Sequence, residues 1–241
     1  MLIESALVAV FFALVHFVAR RLTLLSGPPR SAWLSGAGGV SVAYVFLHLL
    51  PELHEGQHSL QEHGALDWMA LDGSGIYLLS LAGLTVFYGL ERLAARSRAA
   101  QRSGGSGDRT HGSAFTVHIA AFAIYNFAIG YLLLAAERDN LLLYGIALGL
   151  HFVVNDQALR EHHKERYDAV GRWVLAAAVL VGWALALKVE IPEMAIRMLI
   201  AFLAGGVILN VLKEELPEHR ASRFSAFAAG VVLYGALLLA L

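Results

Sequence analysis

Apolar residues run through this chain in long blocks separated by short polar breaks, not in the three-and-four spacing of a helix with one wet face. A helix needs about 20 apolar residues to cross the hydrocarbon core of a bilayer. Eight blocks approach that length, at 3–19, 32–52, 73–94, 114–136, 141–159, 172–190, 192–212 and 224–241. Connections are short except for 53–72 and 95–113. The pattern predicts an all-α fold, a polytopic membrane bundle of eight transmembrane helices that takes up 1–241 as one transmembrane domain. Within it, 95–113 carries Ala95-Arg96-Ser97-Arg98 and then Gly104-Gly105-Ser106-Gly107. That composition reads as a flexible cytosolic linker. It separates helices 1–3 (1–94) from a central pair, helices 4–5 (114–161), and from helices 6–8 (171–241).

Composition agrees and narrows the choice. Of 241 residues 58% are hydrophobic and 15% charged, with mean hydropathy +0.61; soluble domains are nearer 45–50% and about 25%. The net charge of −1 suggests no nucleic acid. There is no cysteine, which removes disulfides, thiolate metal sites and cysteine nucleophiles together. Leu2 to Val18 lacks a basic leader and a small-residue cleavage site, so it is expected to be a retained signal-anchor helix. With the N-terminus outside, all 18 Lys and Arg residues except Arg138, Lys188 and Arg197 fall on the inner side. Both termini are therefore expected outside, in a multi-pass protein of a bacterial-type cytoplasmic membrane.

Two Leu-Pro-Glu triplets, Leu50-Pro51-Glu52 and Leu216-Pro217-Glu218, each close the middle block of a group of three, one on each side of the threaded membrane. This is the pattern of an inverted-topology repeat, which in secondary transporters encloses a midplane site. The glycines Gly36, Gly38 and Gly39, the pair Gly145 and Gly149, and Gly205-Gly206 mark places of close helix approach. They argue for a compact bundle and for no particular function.

Ionisable groups at membrane depth cost about 2.5–3.5 kcal/mol each on insertion scales and are functional candidates by default. Asn126 lies midway along the fourth block and His151 midway along the fifth. Antiparallel neighbours would bring them to similar depth. Asn155 is one turn from His151 on the same face, and Asp156 is turned toward the inner end. Asn126, His151, Asn155 and Asp156 read either as contacts for a partly hydrated divalent cation or as an interhelical hydrogen-bond cluster, worth about 0.6 kcal/mol per bond.

Other polar groups lie nearer the membrane surfaces. His48, Glu52, His54 and Glu55, with His58, Glu62 and His63 following, form a candidate outer entrance that would gather cations; the alternative is a solvated loop. Glu214, Glu215, Glu218 and His219 form a candidate inner exit, or simple headgroup contacts. His16 has no partner in the sequence and reads as a satisfied interior histidine. His162-His163, among Arg160, Glu161, Lys164, Glu165 and Arg166, reads as a solvated helix end, and nothing distinguishes His111 or His118.

The chain resembles the ZIP (Zrt/Irt-like protein) family of divalent-metal transporters. His48-Leu49-Leu50-Pro51-Glu52 and Glu214-Glu215-Leu216-Pro217-Glu218 look like the ends of the family's helices 2 and 7. Tyr125-Asn126-Phe127-Ala128-Ile129-Gly130 is similar to its helix 4 signature, His-Asn-Phe-x-Asp/Glu-Gly. The resemblance implies a 3+2+3 inverted repeat and inward movement of zinc or a related divalent cation. It also implies helix 5 ligands in the pattern His-Glu-x-Pro-His/Glu-Glu, where this chain has His151-Phe152-Val153-Val154-Asn155-Asp156. The signature's histidine is Tyr125 here, its acid Ile129, and the first helix 5 acid Phe152. One negative charge remains at that depth, which suits one partly hydrated ion and not two.

The function expected is thus ZIP-like transport between helices 4 and 5, without covalent chemistry: not an enzyme. The alternative is a non-transporting ZIP-fold protein that senses metal or binds a partner. An intramembrane metal-dependent hydrolase built on His162, His163, His219 and Asp156 lacks the expected ligand spacing. The lipid bilayer and the transported cation are the expected partners, with a homodimer compatible; no tightly bound cofactor is expected.

Overall fold

The computed structural model describes residues 2–18, 32–63, 73–103, 112–136, 141–215 and 223–240. Among them the side chains of Leu34, Glu62, His63, Gln101, Arg102, Glu214 and Glu215 are left out of the description. The described residues are almost wholly helical and contain no strand. The helices are α1 (Leu2–Val18), α2 (Ala32–Tyr44), α3 (Leu50–His63), α4 (Gly75–Ser103) and α5 (Gly112–Ala135). They continue as α6 (Leu141–His163), α7 (Arg172–Ala186), α8 (Glu193–Asn210) and α9 (Phe224–Leu239). Among the described residues six helical stretches are long and apolar enough to cross a membrane, while α1 and α9 are apolar but shorter, at 17 and 16 residues. The chain is an all-helical protein with six to eight membrane-compatible helices.

Two expected connections begin as helix. The second block does not stop at Glu52: a five-residue π turn, Val45–Leu49, leads directly into α3, so the chain stays helical to His63. Pro51 lacks an N–H and would break an ordinary ladder. The wide turn absorbs the misfit, with the Leu50 N–H reaching back to the Val45 carbonyl. A second π turn, Val211–Glu215, lies directly before Leu216-Pro217-Glu218, so both triplets follow the same local device. The stretch expected as linker from 95 is helical as far as Ser103. Its alanines and arginines are good helix formers that outweigh their polarity. The Gly/Ser-rich remainder from 104 to 111 lies outside the described residues.

The chain divides into two compact units that do not follow the order of the blocks. Unit 1 comprises residues 1–24 and 88–190, which hold α1, the second part of α4, α5, α6 and α7. Unit 2 comprises 25–87 and 191–241, which hold α2, α3, the first part of α4, α8 and α9. Each unit therefore draws members from both halves of the expected repeat.

In unit 1, α5 lies against α7 and α6 against α1. In lipid the contact between helices is set by close packing and not by apolar burial, which favours small residues. A Cβ on Gly130 would run into the Val179 carbonyl, and one on Gly182 into that of Phe127. Gly145 and Gly149 receive Val8 and Phe11 of α1. The backbone neighbour of α5 is thus α7; α5 and α6 meet chiefly through long side chains. At the end of α6 the chain turns at Lys164, whose φ is 48°. Arg160 grips Asp168 across this turn with bonds of 2.9 and 3.1 Å.

In unit 2, α2 packs on α9, with Gly39 against Phe227 and Gly230 against Gly36. Gly83 and Gly205 play the same part between α4 and α8. Gln57 accepts the Ile76 N–H at 2.9 Å and ties α3 to the start of α4.

Candidate functional site: the polar interior of unit 1

Helix α5 brings Asn126 to the interior, fully buried, and α6 brings Asp156, also fully buried. Between them stands His16 of α1, 1% exposed. Its Nδ1 lies 2.8 Å from Asp156 Oδ2 and its Nε2 lies 3.1 Å from Asn126 Oδ1. The imidazole thus joins three helices at one point.

The hydrogens in this bridge follow from its geometry. Asn126 Nδ2 donates to the Phe122 carbonyl at 2.8 Å, which turns Oδ1 toward His16. His16 Nε2 must then be a donor. On the other side, a nitrogen and a carboxylate oxygen 2.8 Å apart require one hydrogen between them. Whichever atom carries it, the pair is neutral as a whole. Asp156 Oδ1 is buried without a hydrogen bond among the described residues. The Tyr167 hydroxyl faces this carboxylate without closing a bond of ordinary geometry.

A second pair lies beside the first. His151, 3% exposed, places Nε2 3.2 Å from the Tyr125 hydroxyl. Tyr125 is the residue that stands where the resembled signature has histidine, and it turns inward onto the helix 5 histidine. Asn155, 4% exposed, follows one turn along α6. Phe152 is fully buried and packs against both groups, its ring 5.3 Å from that of His16 and 6.3 Å from that of His151.

All four residues expected as metal contacts are therefore interior; Asn126 and Asp156 share one hydrogen-bonded group with His16, His151 pairs with Tyr125, and Asn155 is buried one turn from His151. Among the described residues no three His, Asp or Glu side chains stand close enough together to hold a metal ion. Carboxylate and amide oxygens suited to a cation are present, but His16 occupies the space between them. Opening the His16–Asp156 contact would free Asp156 Oδ2 and a histidine nitrogen beside Asp156 Oδ1, which has no hydrogen bond among the described residues.

The expected entrance belongs to unit 2. His48 is half-buried in the first π turn, its ring 5.3 Å from that of Tyr44, and Glu52 is half-buried one turn on. His54 is exposed, with Nδ1 3.3 Å from the Tyr77 hydroxyl, and Glu55 is exposed. These residues, with His58, lie on helix and not on a loop. Glu214 and Glu215 stand in the second π turn, with side chains outside the described set, and Glu218 and His219 lie outside the described residues altogether.

Two readings of histidines change. His16 is satisfied, as expected of an interior histidine, yet its partners are the two strongest site candidates, 110 and 140 positions away. Its only sequence signal was that an imidazole stands inside an apolar helix. His163 is not a solvated helix end: it is 3% exposed, with Nε2 2.9 Å from Nδ1 of the fully buried His118. Helix α6 extends to His163, which is buried while Glu161 two residues before it is exposed.

No family model, no curated protein and no solved structure matches the chain.

Proposed function

We propose that the protein is a multi-pass permease of the cytoplasmic membrane that carries a divalent cation, zinc or a related ion, inward through the polar interior of unit 1. The observation that carries this reading is the His16 bridge: a histidine, a carboxylate and an amide from three helices meet in a chain built largely of apolar spans. Such groups are costly in a bilayer and are kept where something must be bound. The resemblance to ZIP-type motifs at Asn126, His151 and the two Leu-Pro-Glu triplets supports the choice of cargo. In this mechanism the ion displaces His16 from Asp156 and takes oxygen from Asp156 and Asn126, with His151 and Asn155 one step along the path. No covalent step is required.

The test is zinc uptake into proteoliposomes. Wild-type protein is expected to give saturable flux, and His151→Ala and Asp156→Asn to abolish it. Folded protein that moves no zinc, iron, manganese or cadmium overturns the proposal. One observation favours a second reading, a non-transporting protein of the same architecture: His16 fills the seat between Asn126 and Asp156. On that reading the bridge is a structural link, and flux is absent while His16→Ala still lowers stability.

A further inference from the structure

We propose that the Arg172 guanidinium binds the headgroup phosphate of an anionic phospholipid, at the place where α1 and α7 of unit 1 meet. The site lies apart from the His16 bridge and does not rest on the transport reading. Arg172 is the first residue of α7, near the start of the membrane-compatible stretch Tyr167–Ala186. Arg160, Lys164 and Arg166 precede that end of the stretch.

Preorganisation is the first argument. The guanidinium carbon lies 5.5 Å from the centre of the Phe17 ring of α1 and 5.8 Å from that of Trp173. The two rings themselves meet edge to face, 4.8 Å apart. A cation within about 6 Å of an aromatic face is attracted to it. Arg172 is thus held in place before any ligand arrives, and less side-chain freedom is lost on binding.

Charge is the second argument. The carboxylate one helical turn before Arg172 is Asp168, and Arg160 takes both its oxygens, at 2.9 and 3.1 Å. Among the described residues no carboxylate forms an ion pair with Arg172. A guanidinium keeps its charge at any physiological pH, so an anion from outside the chain is favoured here. Arg172 is half-buried and its Nε is covered by protein, which leaves the terminal nitrogens to meet that anion. Phosphate oxygens suit such a donor pair.

The surroundings decide which anion. Val170, Trp173 and Val174 are exposed beside Arg172. An apolar surface that ends in a tryptophan and a long cation matches the boundary between acyl chains and headgroups. A lipid phosphate comes attached to chains that cover such a surface, and a free phosphate does not. A headgroup of net negative charge is preferred, because a zwitterionic one carries its own cation and offsets the attraction.

The full chain is purified in detergent, delipidated, offered phosphatidylglycerol and phosphatidylcholine in equal amounts, and weighed intact by mass spectrometry. Wild-type protein is expected to retain phosphatidylglycerol about fivefold over phosphatidylcholine. Arg172→Gln should abolish the preference, and Arg172→Lys should keep only part of it, since an ammonium lacks the planar stacking and the fork. Arg197→Gln, at an arginine already paired with Glu193 at 2.7 Å, should leave it intact. Equal retention of the two lipids by the wild type, an undiminished preference in Arg172→Gln, or its loss in Arg197→Gln overturns the site. Displacement of phosphatidylglycerol by inorganic phosphate overturns it too, since the seat would then be one for the free ion. If Arg172→Gln does not fold, Trp173→Leu decides: it removes one of the two rings, and an unweakened preference rules the site out.

Discussion

Helices α5 and α7 of unit 1 touch backbone to backbone through Gly130 and Gly182, and α2 and α9 of unit 2 do so through Gly39 and Gly230. The interiors that result are unlike. Unit 2 buries Ser35, Ser41, Gln57, Ser80 and Asn210, small or neutral groups of which Ser41 bonds back to its own helix at Ala37. Every buried histidine and carboxylate among the described residues belongs to unit 1. A serine in lipid can satisfy itself locally, whereas a buried carboxylate needs a partner from elsewhere. Unit 2 has the makings of a frame. Unit 1 adds to the same packing a set of ionisable contacts that hold its helices in one relation.

The largest expected effect tests those contacts. His16→Ala leaves Asp156 buried without its partner and should cost about 3–5 kcal/mol, read by unfolding in detergent. The double variant His16→Ala/Asp156→Ala should recover much of that loss, because the uncompensated carboxylate is gone. A cost below about 1 kcal/mol for His16→Ala alone would erase the distinction between the units.

Next come the shared glycines. Gly130→Leu and Gly39→Leu should each cost about 3 kcal/mol or more, since the added side chain meets a backbone carbonyl that cannot yield. Similar losses of folded protein are expected in both units. A tolerated leucine at either position would show that close approach is not what assembles that unit.

Smaller effects sharpen the contrast. Gln57→Ala removes the acceptor of the Ile76 N–H in unit 2 and should cost about 1 kcal/mol; on the transport proposal it should leave zinc flux unaltered. Tyr125→Phe removes the hydroxyl from His151 in unit 1 and should cost about 0.6 kcal/mol. Its stability effect is thus the smallest, yet on the transport proposal flux should change, because His151 is released. Unchanged flux in Tyr125→Phe would place the Tyr125–His151 contact among the purely structural ones.

Much of this is legible in the sequence. The apolar blocks mark the helices, and Gly39, Gly145, Gly149 and Gly205 stand at close approaches, as small residues in membrane helices do. Asn126, His151, Asn155 and Asp156 are interior, where their cost in lipid predicts them. His16 was not legible as a partner, because no local pattern relates positions separated by 110 and 140 residues. The helical run past Pro51 was hidden for another reason: a π turn accommodates proline, and no residue type announces one. The pairing of α5 with α7 was equally hidden, since chain order suggested α6 and the glycines do not name their partners.

Length and apolarity are sums over neighbouring residues, so the chain alone determined that this is a helical protein suited to a bilayer and which polar groups such a setting would penalise. Which of those groups meet depends on the rotation and depth of each helix, set by contacts between residues far apart in the chain. Hydrogen bonds act only over about 3 Å and along one direction. Tertiary structure therefore decided that His16 bridges Asn126 and Asp156, that Tyr125 turns to His151, and that His118 meets His163.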